Sequence, residues 1–313
     1  MKIRGLLQIL ADPIEAPDEE TYDVFAQSLP SHSLGFIDPK ASALELTIAG
    51  RDLTIHQSPG VLSSNRSGGT TGAVVWKITP LFAEWISSDQ NPLFTHGLLN
   101  SSSHIIELGC GISALVGILL APRVTSIVLT DQSYVAKLVE QNIAENDHNG
   151  GRPPPSSAAK KSRPAASSKT KAHALGAAEQ KHPGRVHFTP LDWETDTPTA
   201  ALTLSDSARS FDAVVACDCI YNEALIDPFV SACADVCRLR GEDDSPDLEP
   251  TVCVIAQQLR DPEIFEAWLT RFMESFHAYR VPDEMLLEGL RSSSGFVVHI
   301  GILKGAVPNP ESD

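Results

Sequence analysis

The segment that most restricts what this chain can fold into is Ile105-Ile106-Glu107-Leu108-Gly109-Cys110-Gly111. It reads as a short apolar strand that ends in an acid and a Gly-x-Gly turn. Ser113 to Ala121 follows as an apolar helix, and a second apolar run from Ser126 to Thr130 closes on Asp131. Parallel neighbours need a crossover, and the helix between the two strands supplies it. The glycines stand where a nucleotide-like ligand must come close to the backbone. An acid at the end of the second strand can accept both ribose hydroxyl hydrogens. Gly109, Cys110, Gly111 and Asp131 are therefore candidate cofactor contacts. The competing role for Asp131 is an N-cap for a helix starting at Ser133.

Two cofactor classes fit this turn. With Ala114 as the third small residue, Gly109-x-Gly111-x-x-Ala114 matches the dinucleotide fingerprint, and Asp131 follows at the expected remove of about twenty residues. Glu107 shifts the balance. A carboxylate beside the turn repels a pyrophosphate but attracts the cationic methionine end of S-adenosylmethionine. An NAD-dependent oxidoreductase would also need a catalytic His or a Tyr-x-x-x-Lys pair, and Tyr134 to Lys137 lacks that spacing.

The periodicity extends the unit into an α/β domain. Strands are expected at 104–108, 126–131, 185–189, 211–218, 251–257 and 295–303, with a short one near 277–281. Helices fit 113–121, 133–147, 227–239 and 261–276; in the second of these Val135, Leu138, Val139 and Ile143 form one apolar face. Such alternation implies a mainly parallel sheet wrapped by helices. Upstream, Leu44, Leu46 and Ile48 alternate, Gly50-Arg51 turns, and Leu53 and Ile55 alternate back, which predicts a hairpin. Residues 1–40 are acidic with weak periodicity, and Gln57 to Thr71 reads as a mobile Ser/Gly-rich loop. Thr79 is expected to cap a helix running to Ser88, with Pro80 at its first position. Residues 150–184 are rich in Pro, Ser, Ala and Lys and hold few large apolar side chains, so they read as a disordered insertion.

Composition narrows the partners. Net charge is −16, which argues against a surface devoted to nucleic acid. Residues 152–185 run the other way, with eight Lys or Arg and one Glu, so nucleic-acid contact is expected there or nowhere; Lys160-Lys161-Ser162-Arg163 could also serve as a nuclear signal. The acidic remainder suits a basic protein partner. The six cysteines all sit in apolar strand or helix contexts without paired C-x-x-C motifs, so neither a zinc site nor a disulfide framework is expected. Reduced thiols point to the cytoplasm, with the nucleus as an addition. No run approaches the length of a membrane span.

Four segments, in order, carry a resemblance: Gly72-Ala73-Val74-Val75-Trp76, Glu107-Leu108-Gly109-Cys110-Gly111, Leu191-Asp192-Trp193 and Ala216-Cys217-Asp218-Cys219-Ile220-Tyr221. Together they resemble the seven-strand, family 16 protein-lysine methyltransferases, over about Gly72 to Lys304. Gly72-Ala73-Val74-Val75-Trp76-Lys77-Ile78-Thr79-Pro80 and Cys219-Ile220-Tyr221-Asn222-Glu223-Ala224-Leu225-Ile226 are most similar to its ribosomal lysine N-methyltransferase branch. The resemblance implies a doubly wound, Rossmann-like sheet of seven strands with the last strand antiparallel. It implies an extension over 1–71, a methyltransferase domain over 72–304 interrupted at 150–184, and a tail over 305–313.

The resemblance also assigns roles. It places Trp76 and Cys217 against the cofactor and the Asp192-Trp193 step beside the adenine. There Asp192 could accept from the amino group and Trp193 supply a flat wall. The plainer alternatives are a core role for Trp76 and a half-buried loop role for Trp193. Asp218-x-x-Tyr221 looks like the family's Asp/Glu-x-x-Tyr/Phe motif. Asp218 would then accept the N–H hydrogens of a lysine amine and aim its lone pair, while Tyr221 packs on the lysine stem; a helix cap is the plainer role for Asp218. The implied activity is monomethylation of a lysine in a large-subunit ribosomal protein by a monomeric enzyme that uses S-adenosylmethionine. A different protein substrate, a small-molecule substrate and an inactive binding protein stand as alternatives.

Overall fold

A computed structural model describes residues 2–10, 12–27, 29–30, 35–66, 69–147, 185–243 and 248–306. The basic segment 152–184 and the tail beyond 306 lie outside the described residues, and so does the expected insertion. The strands are β1 (Ala43–Ile48), β2 (Arg51–His56), β3 (His104–Leu108), β4 (Ser126–Asp131), β5 (Val186–Pro190), β6 (Ala213–Cys217), β7 (Val252–Gln258), β8 (Phe276–Arg280) and β9 (Phe296–Leu303). The helices are α1 (Lys2–Leu7), α2 (Pro17–Phe25), α3 (Pro59–Leu62), α4 (Ile78–Ser87), α5 (Pro92–Thr95), α6 (Leu115–Leu120), α7 (Ala136–Asn146), α8 (Ile226–Arg238) and α9 (Pro262–Ser275).

Seven strands form one sheet in the order β5-β4-β3-β6-β7-β9-β8. The pairs β3–β4, β4–β5, β3–β6 and β6–β7 are parallel, and β9 runs antiparallel between β7 and β8. This is the α/β sheet expected from the sequence, with the last strand antiparallel. Central strands are buried along nearly their whole length, which is why they read as unbroken apolar runs rather than alternating ones. Strand order reverses between β3 and β6, so the crevice beyond their carboxyl ends is where a ligand can enter.

The hairpin is formed by β1 and β2, but its turn is Ala49-Gly50, both with positive φ (50° and 73°), rather than Gly50-Arg51. Two positive-φ residues give the turn whose twist matches an antiparallel pair. Asn142 and Asn146 of α7 satisfy the exposed edge of β2. Asn142 accepts from the His56 N–H at 2.8 Å and donates to the His56 carbonyl at 3.0 Å, and Asn146 makes the same exchange with Thr54.

Four further expectations need correction. Thr79 is not a cap: α4 starts at Ile78, and Thr79 is buried inside it. The helix expected from Ser133 starts with a 3-10 turn over Ser133–Val135 and becomes α only at Ala136. Gln57 to Thr71 is structured in part. Gln57 is buried, its amide nitrogen donates to the Asp38 and Ala41 carbonyls, its oxygen accepts from the Val75 N–H, and α3 follows it. Residues 1–40 contain two helices that pack into the body. Ile3 and Leu6 of α1 are fully buried, and α2 lies along α9. Glu20 of α2 is buried against β9, 3.0 Å from Nε2 of the fully buried His299 and 3.3 Å from Arg280. No helix among the described residues is long and apolar enough to cross a membrane.

Glu20 yields a test of this anchoring. Burial alone would raise its pKa, but the hydrogen bond and charge of His299 and the charge of Arg280 outweigh it, and the net value is lowered. A lowered carboxylate contributes stability above its unfolded pKa and loses it as pH falls. Glu20→Gln should therefore cost about 3 kcal/mol at pH 7 in a urea melt. The gap to the wild type should shrink as pH drops below the ordinary carboxylate range. Equal stability at pH 7 would show that α2 is not held by this pair.

Candidate active site

The carboxyl ends of β3, β4, β5 and β6 open into one cavity of about 390 Å³, closed on another side by Gly69 to Trp76. That volume suits a small-molecule site. Every one of the eleven residues singled out in the sequence lines it. Glu107 enters from β3, buried to 2% exposure, and its Oε2 has no hydrogen-bond partner. Burial and the nearby charge of Asp131 push its pKa up to about 8, so it is mostly protonated at neutral pH.

The glycine turn explains how a ligand gets close. Gly109 and Gly111 have φ of +72° and +56°, and the N–H groups of Gly109 and Cys110 both donate to the Thr130 carbonyl. A Cβ at Gly109 would sit 2.6 Å from the Cys219 sulfur and 3.0 Å from the Trp193 ring. Glycine is needed here for both conformation and space. The Gly111 N–H donates to Asp131 Oδ2 at 2.9 Å, and Asp131 Oδ1 accepts from the Gln132 N–H at 2.7 Å. Burial outweighs these two bonds and raises the Asp131 pKa to about 6, which leaves it largely ionised at pH 7. Asp131 is no helix cap, since its side chain stays within the turn at the end of β4.

Beyond β5, Trp193 is half-buried and packs on Phe229, with ring centroids 5.1 Å apart. Its Nε1 is buried and has no partner. Asp192 Oδ1 accepts from the Glu194 N–H at 3.1 Å. Trp76 is also half-buried, and its indole N–H donates to the Thr71 carbonyl. Cys110 and Cys217 are buried, with thiol pKa values raised by that burial, so they are uncharged wall. Tyr221 is 41% exposed, and its hydroxyl accepts from Thr71 Oγ1 at 3.1 Å, which ties the end of β6 to the segment over the cavity.

Asp218 differs from the expectation in its partners. It has φ of +61°, a strained conformation for a non-glycine residue. It caps no helix; Asn222 does that for the turn that follows. Its carboxylate, 2% exposed, is paired two-pronged with Arg260, at 2.7 Å to Oδ1 and 2.6 Å to Oδ2, and Oδ1 also accepts from the Gln258 N–H. Sequence reasoning missed Arg260. The available signal was position: Arg260 follows β7 at the same carboxyl edge as the other site residues.

Residues 56–155 and 170–244 match the lysine methyltransferase family. This chain belongs to that family. It is accordingly a lysine methyltransferase. Ribosomal lysine N-methyltransferase 5 of Zygosaccharomyces rouxii is 32% identical over 237 residues, covering 70% of this chain and 70% of that protein. The protein of that name from Vanderwaltozyma polyspora is 25% identical, covering 90% of this chain and 96% of the relative. A diaminohydroxyphosphoribosylamino-pyrimidine deaminase of Schizosaccharomyces pombe is 28% identical over 90% of this chain, which spans 56% of that protein. Among solved structures, the tRNA (uracil-54, C5)-methyltransferase of Pyrococcus abyssi aligns with 84% of this chain and 45% of its own, at 11% identity and a TM-score of 0.39.

In this methyltransferase the turn at Gly109 can be tested without substrate. Gly109→Ala should lower the melting temperature by several degrees, because strain and collision together cost about 1–3 kcal/mol. A melting temperature within a degree of wild type would show that the turn relaxes and that the close approach is not required.

Proposed function

We propose that this lysine methyltransferase binds S-adenosylmethionine in the cavity and methylates a lysine of a ribosomal protein at its Asp218–Tyr221 edge. The observation that carries the proposal is the convergence of a buried, unpartnered acid, a Cβ-free turn and a ribose-competent acid in one cavity. In this reading the orphaned Oε2 of Glu107 faces the cationic methionine end, and Asp131 holds the ribose. Trp193 and Asp192 take the adenine, Gly109 to Gly111 line the backbone side, and Trp76, Cys110 and Cys217 complete the wall. The bound cofactor supplies an electrophilic methyl group with a good leaving group.

The chain's own residues have a defined task. A free lysine has a pKa near 10.4, so its neutral form costs roughly 4–5 kcal/mol to reach at pH 7. Tyr221 packs on the lysine stem and shields the amine from water, which favours the neutral form. Asp218 accepts an amine N–H through Oδ2, the oxygen that takes a single bond from Arg260. That acceptor fixes the direction of the nitrogen lone pair. The net charge of −16 favours a basic protein partner over free RNA. The ribosomal substrate rests on the named relatives, and the cytoplasm would be the place of action.

The test is incubation of the purified protein with methyl-labelled cofactor and fractionated ribosomal proteins. Label should appear on a lysine of a large-subunit protein. Asp218→Ala should reduce it at least about 100-fold, while Tyr221→Phe, which keeps the ring, should reduce it only a few-fold. Label confined to non-ribosomal fractions would overturn the substrate, and full activity in Asp218→Ala would move the transfer site elsewhere.

A further inference from the structure

The pairing of Asp218 raises a problem that the proposed transfer site must solve. An isolated carboxylate beside the incoming lysine would stabilise the ammonium form and so raise the barrier to deprotonation. The amine needs a hydrogen-bond acceptor without a net negative field. The carboxyl edge of the sheet supplies that combination. Arg260 neutralises Asp218 through both oxygens, yet Oδ2 keeps one acceptor site. The guanidinium is itself held in place. Its carbon lies 4.8 Å from the centroid of the Trp76 ring, and Nη2 donates to Gln258 Oε1 at 2.9 Å. Gly35, with φ of +85°, closes over the group; a Cβ there would collide with Gln258 Oε1 and Arg260 Nη2.

We propose that Arg260 is a positioning residue for methyl transfer: it orients Asp218 as a charge-compensated acceptor and disfavours the ammonium form of the incoming lysine. This rests on the assignment of Asp218 and Tyr221 to the transfer edge. The ionisable groups that line the cavity supply no positive field, and Arg66, whose charge reaches Asp131, bonds to Gln132 and the Gly69 carbonyl and lies over the Tyr134 ring. Glu107 is the buried acid of β3, Asp131 ends β4, Cys217 and Cys219 flank Asp218, and Tyr221 lies at the mouth. All of these are neutral or negative. Among the described residues lining the cavity there is no Lys or Arg, so Arg260 acts from just behind the wall.

The experiment is the pH dependence of single-turnover methylation at saturating cofactor and substrate, with cofactor affinity and melting temperature measured on the same proteins. Arg260→Gln should keep cofactor affinity within about threefold of wild type. Its rate inflection should move up by about one pH unit, which lowers the rate at neutral pH about tenfold and lets alkaline pH restore it. Arg260→Lys keeps the charge but loses the two-pronged grip. Its inflection should stay in place while the plateau rate falls several-fold. A uniform loss in Arg260→Gln with no movement of the inflection would overturn the inference. Should Arg260→Gln fail to fold, Arg260→Lys decides alone, and a wild-type plateau there overturns the inference. A wild-type enzyme that binds the cofactor but labels no lysine would sink the transfer-site assignment itself, and this inference with it.

Discussion

One buried carboxylate lies at the heart of this molecule's candidate site. Glu107 sits at 2% exposure on the central strand of the sheet, with one oxygen unpartnered. An unpaired buried acid opposes folding, and this one avoids charge by holding a proton to about pH 8. The fold around it is arranged for a ligand. Parallel strands bring the ends of β3, β4, β5 and β6 to one crevice, and the reversal of strand order opens that crevice. The Gly-x-Gly turn then removes the side chain that would fill it.

The remainder of the chain stiffens that crevice. Asp131 pins the glycine turn through the Gly111 N–H, so the ribose-competent acid and the close-approach backbone are one unit. Gly72 passes over the turn, where its carbonyl accepts from the Ile112 N–H at 2.9 Å. Thr71 reaches Tyr221 on the far side. The segment upstream of the sheet thereby forms a wall of the cavity. Its own anchors are the packing of α1 and α2 and the bonds of Asn142 and Asn146 to β2.

Much of this was legible in the sequence because it depends on local pattern. Central strands are apolar throughout, the turn is written in glycines, and Asp131 and Asp218 fall at strand ends where ligands bind. What was not legible depends on pairing across distance. Glu20 reads as one acid among Asp18 and Glu19 until β9 brings His299 against it. Arg260 reads as a surface charge until β6 and β7 lie side by side and place it on Asp218. Thr79 beside Pro80 is a plausible helix start by residue type. The helix begins earlier because Ile78 and Thr79 are drawn into the core.

The claim that Glu107 receives a cationic ligand is open to a direct measurement. Calorimetry of S-adenosylmethionine binding at pH 7, in buffers of different ionisation enthalpy, counts the protons exchanged. A protonated Glu107 must ionise to meet the cation, so binding to the wild type should release close to one proton, by linkage. Binding to Glu107→Gln should be weaker and release almost none. Proton release that is absent from the wild type, or unchanged in Glu107→Gln, would contradict the account.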